Sequence, residues 1–104
     1  VVKELQADGL DVVGEVAGRT ALVVDDSTVN RRILAGLLES AGADVLTAAG
    51  GLEGIEVARA RRPGIVFMDL KMPDLDGLEA VRRLARDPAT AAIPVVAVTA
   101  SAVW

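Results

Sequence analysis

Three apolar runs in this chain each end in an oxygen-bearing side chain. Ala21-Leu22-Val23-Val24 runs into Asp25-Asp26, Ile65-Val66-Phe67-Met68 into Asp69, and Pro94-Val95-Val96-Ala97-Val98 into Thr99. If the runs are neighbouring parallel strands, these groups converge at the carboxyl edge of the sheet, where open α/β folds place their sites. Three carboxylates packed together repel one another and raise each other's pKa unless a cation intervenes. Magnesium suits such a place, because it takes few protein carboxylates, keeps waters and accepts phosphate oxygens. Asp69 then reads as a carboxylate nucleophile toward phosphorus, and the Thr99 hydroxyl as a donor to a phosphoryl oxygen.

Composition narrows the alternatives. The 104 residues have room for one domain, and an apolar content of 52% supplies a packed core. With no cysteine and no histidine, a disulfide framework, a thiolate metal site and an imidazole acid or base are all excluded. Any metal must be held by oxygen, which favours magnesium, manganese or calcium over zinc or copper. A net charge of −4 and an aromatic content of one Phe and one Trp argue against direct nucleic-acid binding. No apolar run reaches the ~20 residues of a membrane span and no signal peptide opens the chain, so a cytoplasmic protein without membrane association is expected.

The elements that must position these groups alternate regularly. After the first strand, Val29, Ile33, Leu34, Leu37, Leu38 and Ala41 repeat as one face of a helix, capped by Ser27 or Thr28 and ended by Gly42. Asp44 to Thr47 reads as a second strand, and Leu52, Ile55 and Ala58 as a helix running to about Arg61, broken by Pro63-Gly64. The third strand leads through Lys71-Met72-Pro73-Asp74 into a helix with Leu78, Val81, Leu84 and Ala85 on one side, closed by Asp87-Pro88. This alternation implies a parallel sheet covered on both faces. Residues 1–18 stand outside it and read as a linker or the remnant of an upstream module, with Leu10 to Val13 as a candidate extra strand. A lone Asp after a strand is commonly only a cap or turn residue; three matched strand ends in one small sheet make that reading insufficient here.

Val23-Val24-Asp25-Asp26-Ser27, the stretch from Met68 through Asp69, Leu70, Lys71, Met72, Pro73, Asp74, Leu75 and Asp76 to Gly77, and Pro94-Val95-Val96-Ala97-Val98-Thr99-Ala100 together resemble the receiver domain of two-component response regulators. The resemblance covers residues 19–104, and Asn30-Arg31-Arg32-Ile33-Leu34 is similar to receivers carried by hybrid histidine kinases. It implies a flavodoxin-like, doubly wound α/β fold with strand order 2-1-3-4, counted from Ala21 to Val24. By the same resemblance Asp69 is the phosphoacceptor, taking a phosphoryl group from a sensor histidine kinase or a histidine phosphotransfer protein. Asp26 binds Mg2+ (or Mn2+) directly, Asp25 acts largely through water, and Asp69 and the backbone carbonyl of Lys71 complete the ligand set. Thr99 is the switch hydroxyl, Ala100 the small residue giving access to the site, and Pro73 and Gly77 shape the loop.

One departure stands out. The family's lysine at the end of a fifth strand has no match, since Lys3 and Lys71 are the only lysines. The sequence leaves the fourth helix incomplete at Trp104, without a fifth strand and helix. Either these residues are part of a longer chain, or the exposed sheet edge of such a receiver is completed by a partner, by a domain-swapped second copy or by the N-terminal strand around Leu10 to Val13. The alternative function is a phosphorylation-deficient, receiver-like module that serves only in protein association. An aspartate-nucleophile phosphatase is disfavoured, because Lys71 stands where that class needs a second Asp.

Overall fold

A computed structural model of the chain describes residues 2–5 and 16–98. Five strands and three helices are formed in the order β1 (Val2–Leu5), β2 (Thr20–Val24), α1 (Thr28–Ser40), β3 (Asp44–Ala48), α2 (Gly51–Arg61), β4 (Ile65–Asp69), α3 (Gly77–Arg86) and β5 (Val95–Val98). All pair in parallel, in the order β1-β5-β4-β2-β3. The four strands read from the sequence therefore take the expected 2-1-3-4 order.

Unbroken apolar runs form the central strands because both faces of the sheet are covered. Leu22, Val24, Val66 and Met68 pack with Ala58, Ala80, Val81 and Leu84 of α2 and α3. The alternate residues Ala21, Val23, Ile65, Phe67 and Val96 pack with Val16, Leu38 and Ala43 on the opposite face. Period-two alternation thus divides the runs Ala21–Val24 and Ile65–Met68 between two cores, and neither run holds a polar residue.

The edge of β5 is not bare. Val2–Leu5 pairs along it in parallel, Val2 against Val95 through Leu5 against Val98. An N-terminal strand was expected there from Leu10 to Val13, which lie outside the described residues; the pairing segment is an earlier one. Its alternation of Val, Lys, Glu and Leu offers no continuous apolar run to read, and an edge strand needs none. Thr99 and the residues read as a fourth helix also lie outside the described residues.

Helix α1 corrects the sequence reading in one respect. The six apolar positions assigned to one face split into two. Leu34 and Ala41 pack against the core around fully buried Leu38, whereas Val29, Ile33 and Leu37 are 65%, 59% and 48% exposed. The sheet covers a stripe spaced i, i+4, i+7, and the second row, one residue out of phase, is turned about 100° away from it. Leu78 of α3 and Leu52 of α2 lie on exposed flanks in the same way. Ser27 caps α1 by accepting from the Asn30 amide at 3.2 Å. Gly42, at φ 97°, lets the chain turn back so that the Ala43 amide reaches the Leu38 carbonyl.

Candidate functional site

Parallel register brings the acidic strand ends together. Val24 pairs with Met68, so Asp25 and Asp69, each the next residue, emerge side by side from adjacent strands. Carboxylate oxygens of Asp25, Asp26 and Asp69 all lie within 4.8 Å of one another. Asp25 is buried, Asp69 half-buried and Asp26 exposed, so the cluster opens to solvent on its Asp26 side.

The surrounding backbone holds two of these acids in place. Asp25 Oδ1 accepts from the Ser27 amide at 2.9 Å, and the Asp25 amide donates to the Ala48 carbonyl of β3 at 3.1 Å. Arg31 reaches back from the second turn of α1 and donates from Nη1 to the Asp25 carbonyl at 2.7 Å. Asp69 Oδ1 accepts from the Lys71 amide at 3.0 Å, which fixes its side chain at the start of the loop.

Burial pushes the Asp69 carboxyl up from 3.8 to about 6, against the opposing effect of the Lys71 amide; the Asp25 and Asp26 carboxylates add to the rise. Desolvation and like charge both disfavour a third anion at this place, and a divalent cation would relieve both. An all-carboxylate donor set is that of a hard cation such as Mg2+ or Mn2+. The residues present fit such an ion.

The loop beyond Asp69 is fastened at two points. Asp74 places Oδ1 on the Gly51 amide at 3.1 Å and Oδ2 on the Leu52 amide at 3.2 Å, capping α2 from outside its own helix. Asp76 caps α3 through the Leu78 amide at 3.0 Å. Directly after Asp76, Gly77 lies against the end of β4, and a Cβ there would stand 2.0 Å from the Asp69 carbonyl oxygen. Neither Asp74 nor Arg31 stood out in the sequence, because their partners are backbone groups that only the tertiary fold brings near.

The amides of Gly51 and Leu52 hold the exposed Asp74 carboxyl below its ordinary range. A group with a lowered folded pKa stabilises the fold above its unfolded pKa, and that contribution is lost as pH falls through the folded value. Asp74→Ala is therefore expected to lower the Tm at neutral pH, and the difference from wild type should close in acid. A gap that stayed constant with pH in a thermal-denaturation series would contradict the capping role.

Of the six residues singled out from the sequence, Asp25, Asp26 and Asp69 are brought into one cluster, and Lys71 adjoins it through its amide. Thr99 follows directly on the last register pair, Asp69 against Val98, but it and Ala100 lie outside the described residues. Among the described residues no helix is long and apolar enough to cross a membrane.

Comparison with known proteins places this geometry in a family. The model of the response regulator receiver domain matches residues 21–103. Protein PilH of Pseudomonas aeruginosa is 45% identical over 78 residues, covering 75% of this chain and 64% of PilH. The polar-differentiation response regulator DivK of Brucella anthropi is 34% identical over 84 residues, 81% of this chain and 68% of DivK. The chain thus spans roughly two thirds of the length of these relatives. Among solved structures, the N-terminal domain of a response regulator receiver protein from Methanoculleus marisnigri superposes with a TM-score of 0.78 at 39% identity, over 81% of this chain and 68% of that one. The receiver domain of a Pseudomonas aeruginosa sensor histidine kinase, with a magnesium ion coordinated in its active site cleft, gives 0.77 at 32% identity, over 83% and 70%. With sheet order, helix placement and most of its length in common with these proteins, the chain belongs to the response regulator receiver domain family of two-component signalling.

Proposed function

We propose that this domain accepts a phosphoryl group on Asp69 in a Mg2+-dependent reaction, from a sensor histidine kinase or a histidine phosphotransfer protein. The observation that carries the reading is the cluster of Asp69 with Asp25 and Asp26 at the carboxyl edge of the sheet. A carboxylate oxygen of Asp69 attacks phosphorus, the bond from phosphorus to the donor's imidazole nitrogen breaks, and an acyl phosphate forms while the imidazole takes up a proton. Asp69 must be ionised to attack, so its raised pKa makes the metal-free domain a poor acceptor below about pH 6. Asp26 and Asp25 would hold the ion together with Asp69 and the Lys71 carbonyl. When bound, Mg2+ supplies positive charge that keeps Asp69 ionised and offsets the charge of the transferring group.

The remaining roles follow from the family. Thr99 is the hydroxyl that meets the phosphoryl group, Ala100 leaves room for it, and residues 19–104 form the receiver. Added charge at Asp69 would shift the surface beyond β5 and so change the partners the domain prefers. The test is an intact-mass spectrum after incubation with acetyl phosphate and Mg2+. A single phosphoryl adduct that disappears when EDTA replaces the metal is expected. An unmodified mass under conditions that label another receiver would instead favour a module used only for association.

A further inference from the structure

Beside the acidic cluster lies a second site of opposite charge. A groove of about 240 Å³ opens between the first turns of α1 and the carboxyl end of β3, lined by Thr28, Arg31, Arg32, Ala35 and Thr47. Its volume is below the ~300 Å³ at which pockets begin to hold drug-sized ligands, so a small group is the fitting occupant. The lining residues bring two guanidiniums and two hydroxyls beside aliphatic surface that includes the Ala35 methyl, and no carboxylate.

The arginines here differ from most of those in α2 and α3, although Arg61 of α2 is likewise in no ion pair among the described residues. Arg59 pairs with Asp87, and Arg82, Arg83 and Arg86 share Glu79. Neither Arg31 nor Arg32 is in an ion pair among the described residues. Arg31 is nonetheless held: Nη1 donates to the Asp25 carbonyl at 2.7 Å and Nη2 to Thr28 Oγ1 at 3.2 Å. Those bonds use neutral acceptors, so its charge is not cancelled and its remaining donors are pre-oriented. A guanidinium already fixed in position loses little side-chain entropy on binding. Arg32, the next residue, brings a second planar fork to the same groove. Paired guanidiniums with flanking hydroxyls are the donor set of a tetrahedral oxyanion, which accepts several charge-assisted hydrogen bonds at once.

We propose that this groove binds the phosphate group of a small phosphorylated molecule, at a position separate from Asp69 and independent of the metal. The probes are inorganic phosphate and pyrophosphate, titrated into isotope-labelled protein in the presence of EDTA and followed by amide chemical shifts. Chelation removes the cation that would draw anions to the acidic cluster. Saturable shifts centred on residues 28–35 and Thr47 are expected, stronger for pyrophosphate. Arg32→Ala should raise the half-saturating concentration at least ~10-fold, the loss of one charge-assisted fork. Arg32→Lys should fall between, retaining charge without the fork, and Thr47→Val should weaken binding less. Arg32 is exposed, so each variant's amide spectrum is expected to remain folded. Shifts that never saturate, that centre on the α2 and α3 arginines, or that persist in Arg32→Ala would overturn the proposal.

Discussion

Asp69→Asn is expected to abolish phosphoryl labelling and at the same time to make the domain more stable at neutral pH. Loss of labelling follows from chemistry, since an amide has no carboxylate oxygen with which to form an acyl phosphate. The gain follows from the raised pKa. A carboxyl whose folded pKa lies at about 6 rather than 3.8 contributes stability that is complete below its unfolded pKa and is lost as pH rises through about 6. At pH 7 the ionised Asp69 therefore opposes folding, and Asn removes the charge while its side-chain oxygen still accepts from the Lys71 amide. Because the group is only half-buried, solvent screening reduces the effect to about 1 kcal/mol. That corresponds to a Tm rise of roughly 4–8 °C in a domain of this size. The rise should shrink toward zero near pH 4 and should also shrink when Mg2+ stabilises the wild type. A variant less stable than wild type at pH 7 without metal would show that the acidic cluster is not under electrostatic strain.

The largest expected loss of stability from a single methyl group is at Gly77. A Cβ there would meet the Asp69 carbonyl oxygen at 2.0 Å, the Leu70 Cα at 2.6 Å and the Asp69 carbonyl carbon at 2.9 Å. All three are backbone atoms at the end of a central strand, so no rotamer change relieves the overlap. Gly77→Ala must move either the start of α3 or the end of β4. The first breaks the Asp76 cap and the second displaces Asp69 itself. A cost of about 3 kcal/mol or more is expected, at the upper end for overpacking, out of a total of roughly 5–15 kcal/mol for a natural domain. Two other glycines calibrate the claim. At Gly54 the added methyl meets Val24 methyl groups at 2.8 and 2.9 Å, side-chain atoms that have some freedom to shift, and the loss should be smaller. Gly36, within α1, has nothing within 4 Å. There Ala should stabilise by about 0.5–1 kcal/mol, by lowering the entropy of the unfolded chain and favouring the helix. Thermal denaturation should rank Gly36→Ala above wild type, then Gly54→Ala, then Gly77→Ala. A Gly77→Ala protein as stable as wild type would contradict the close packing of α3 on β4.

How much of this was legible in the sequence depended on where each interaction has its partner. The runs ending at Val24 and Met68 announced buried strands because both faces of a parallel sheet select apolar residues. Asp25, Asp26 and Asp69 stood out because charge is unexpected at the end of such runs. Asp74 did not, since its partners, the amides of Gly51 and Leu52, lie more than twenty residues away and a loop Asp has many local uses. Arg31 was given no role at the site from the sequence, although one of its nitrogens holds the Asp25 carbonyl. The α1 stripe was over-read because three-and-four spacing marks an apolar face without fixing how wide a strip the sheet covers. Strand β1 was not read from the sequence: Val2–Leu5 is short, polar at its centre and paired with β5 alone among the described strands, so hydrophobic pattern carries almost no information about it.

Asp69 is the residue expected to carry the acyl phosphate, and that bond can be located directly. Protein incubated with acetyl phosphate and Mg2+, then treated with sodium borohydride, should carry its modified residue as homoserine, because hydride reduces an acyl phosphate to the alcohol. Peptide mass mapping is expected to find homoserine at position 69 alone, and none when the metal is withheld. Homoserine at position 25 or 26 in its place, or no conversion in protein whose intact mass shows a phosphoryl adduct, would contradict the assignment of Asp69 as the acceptor.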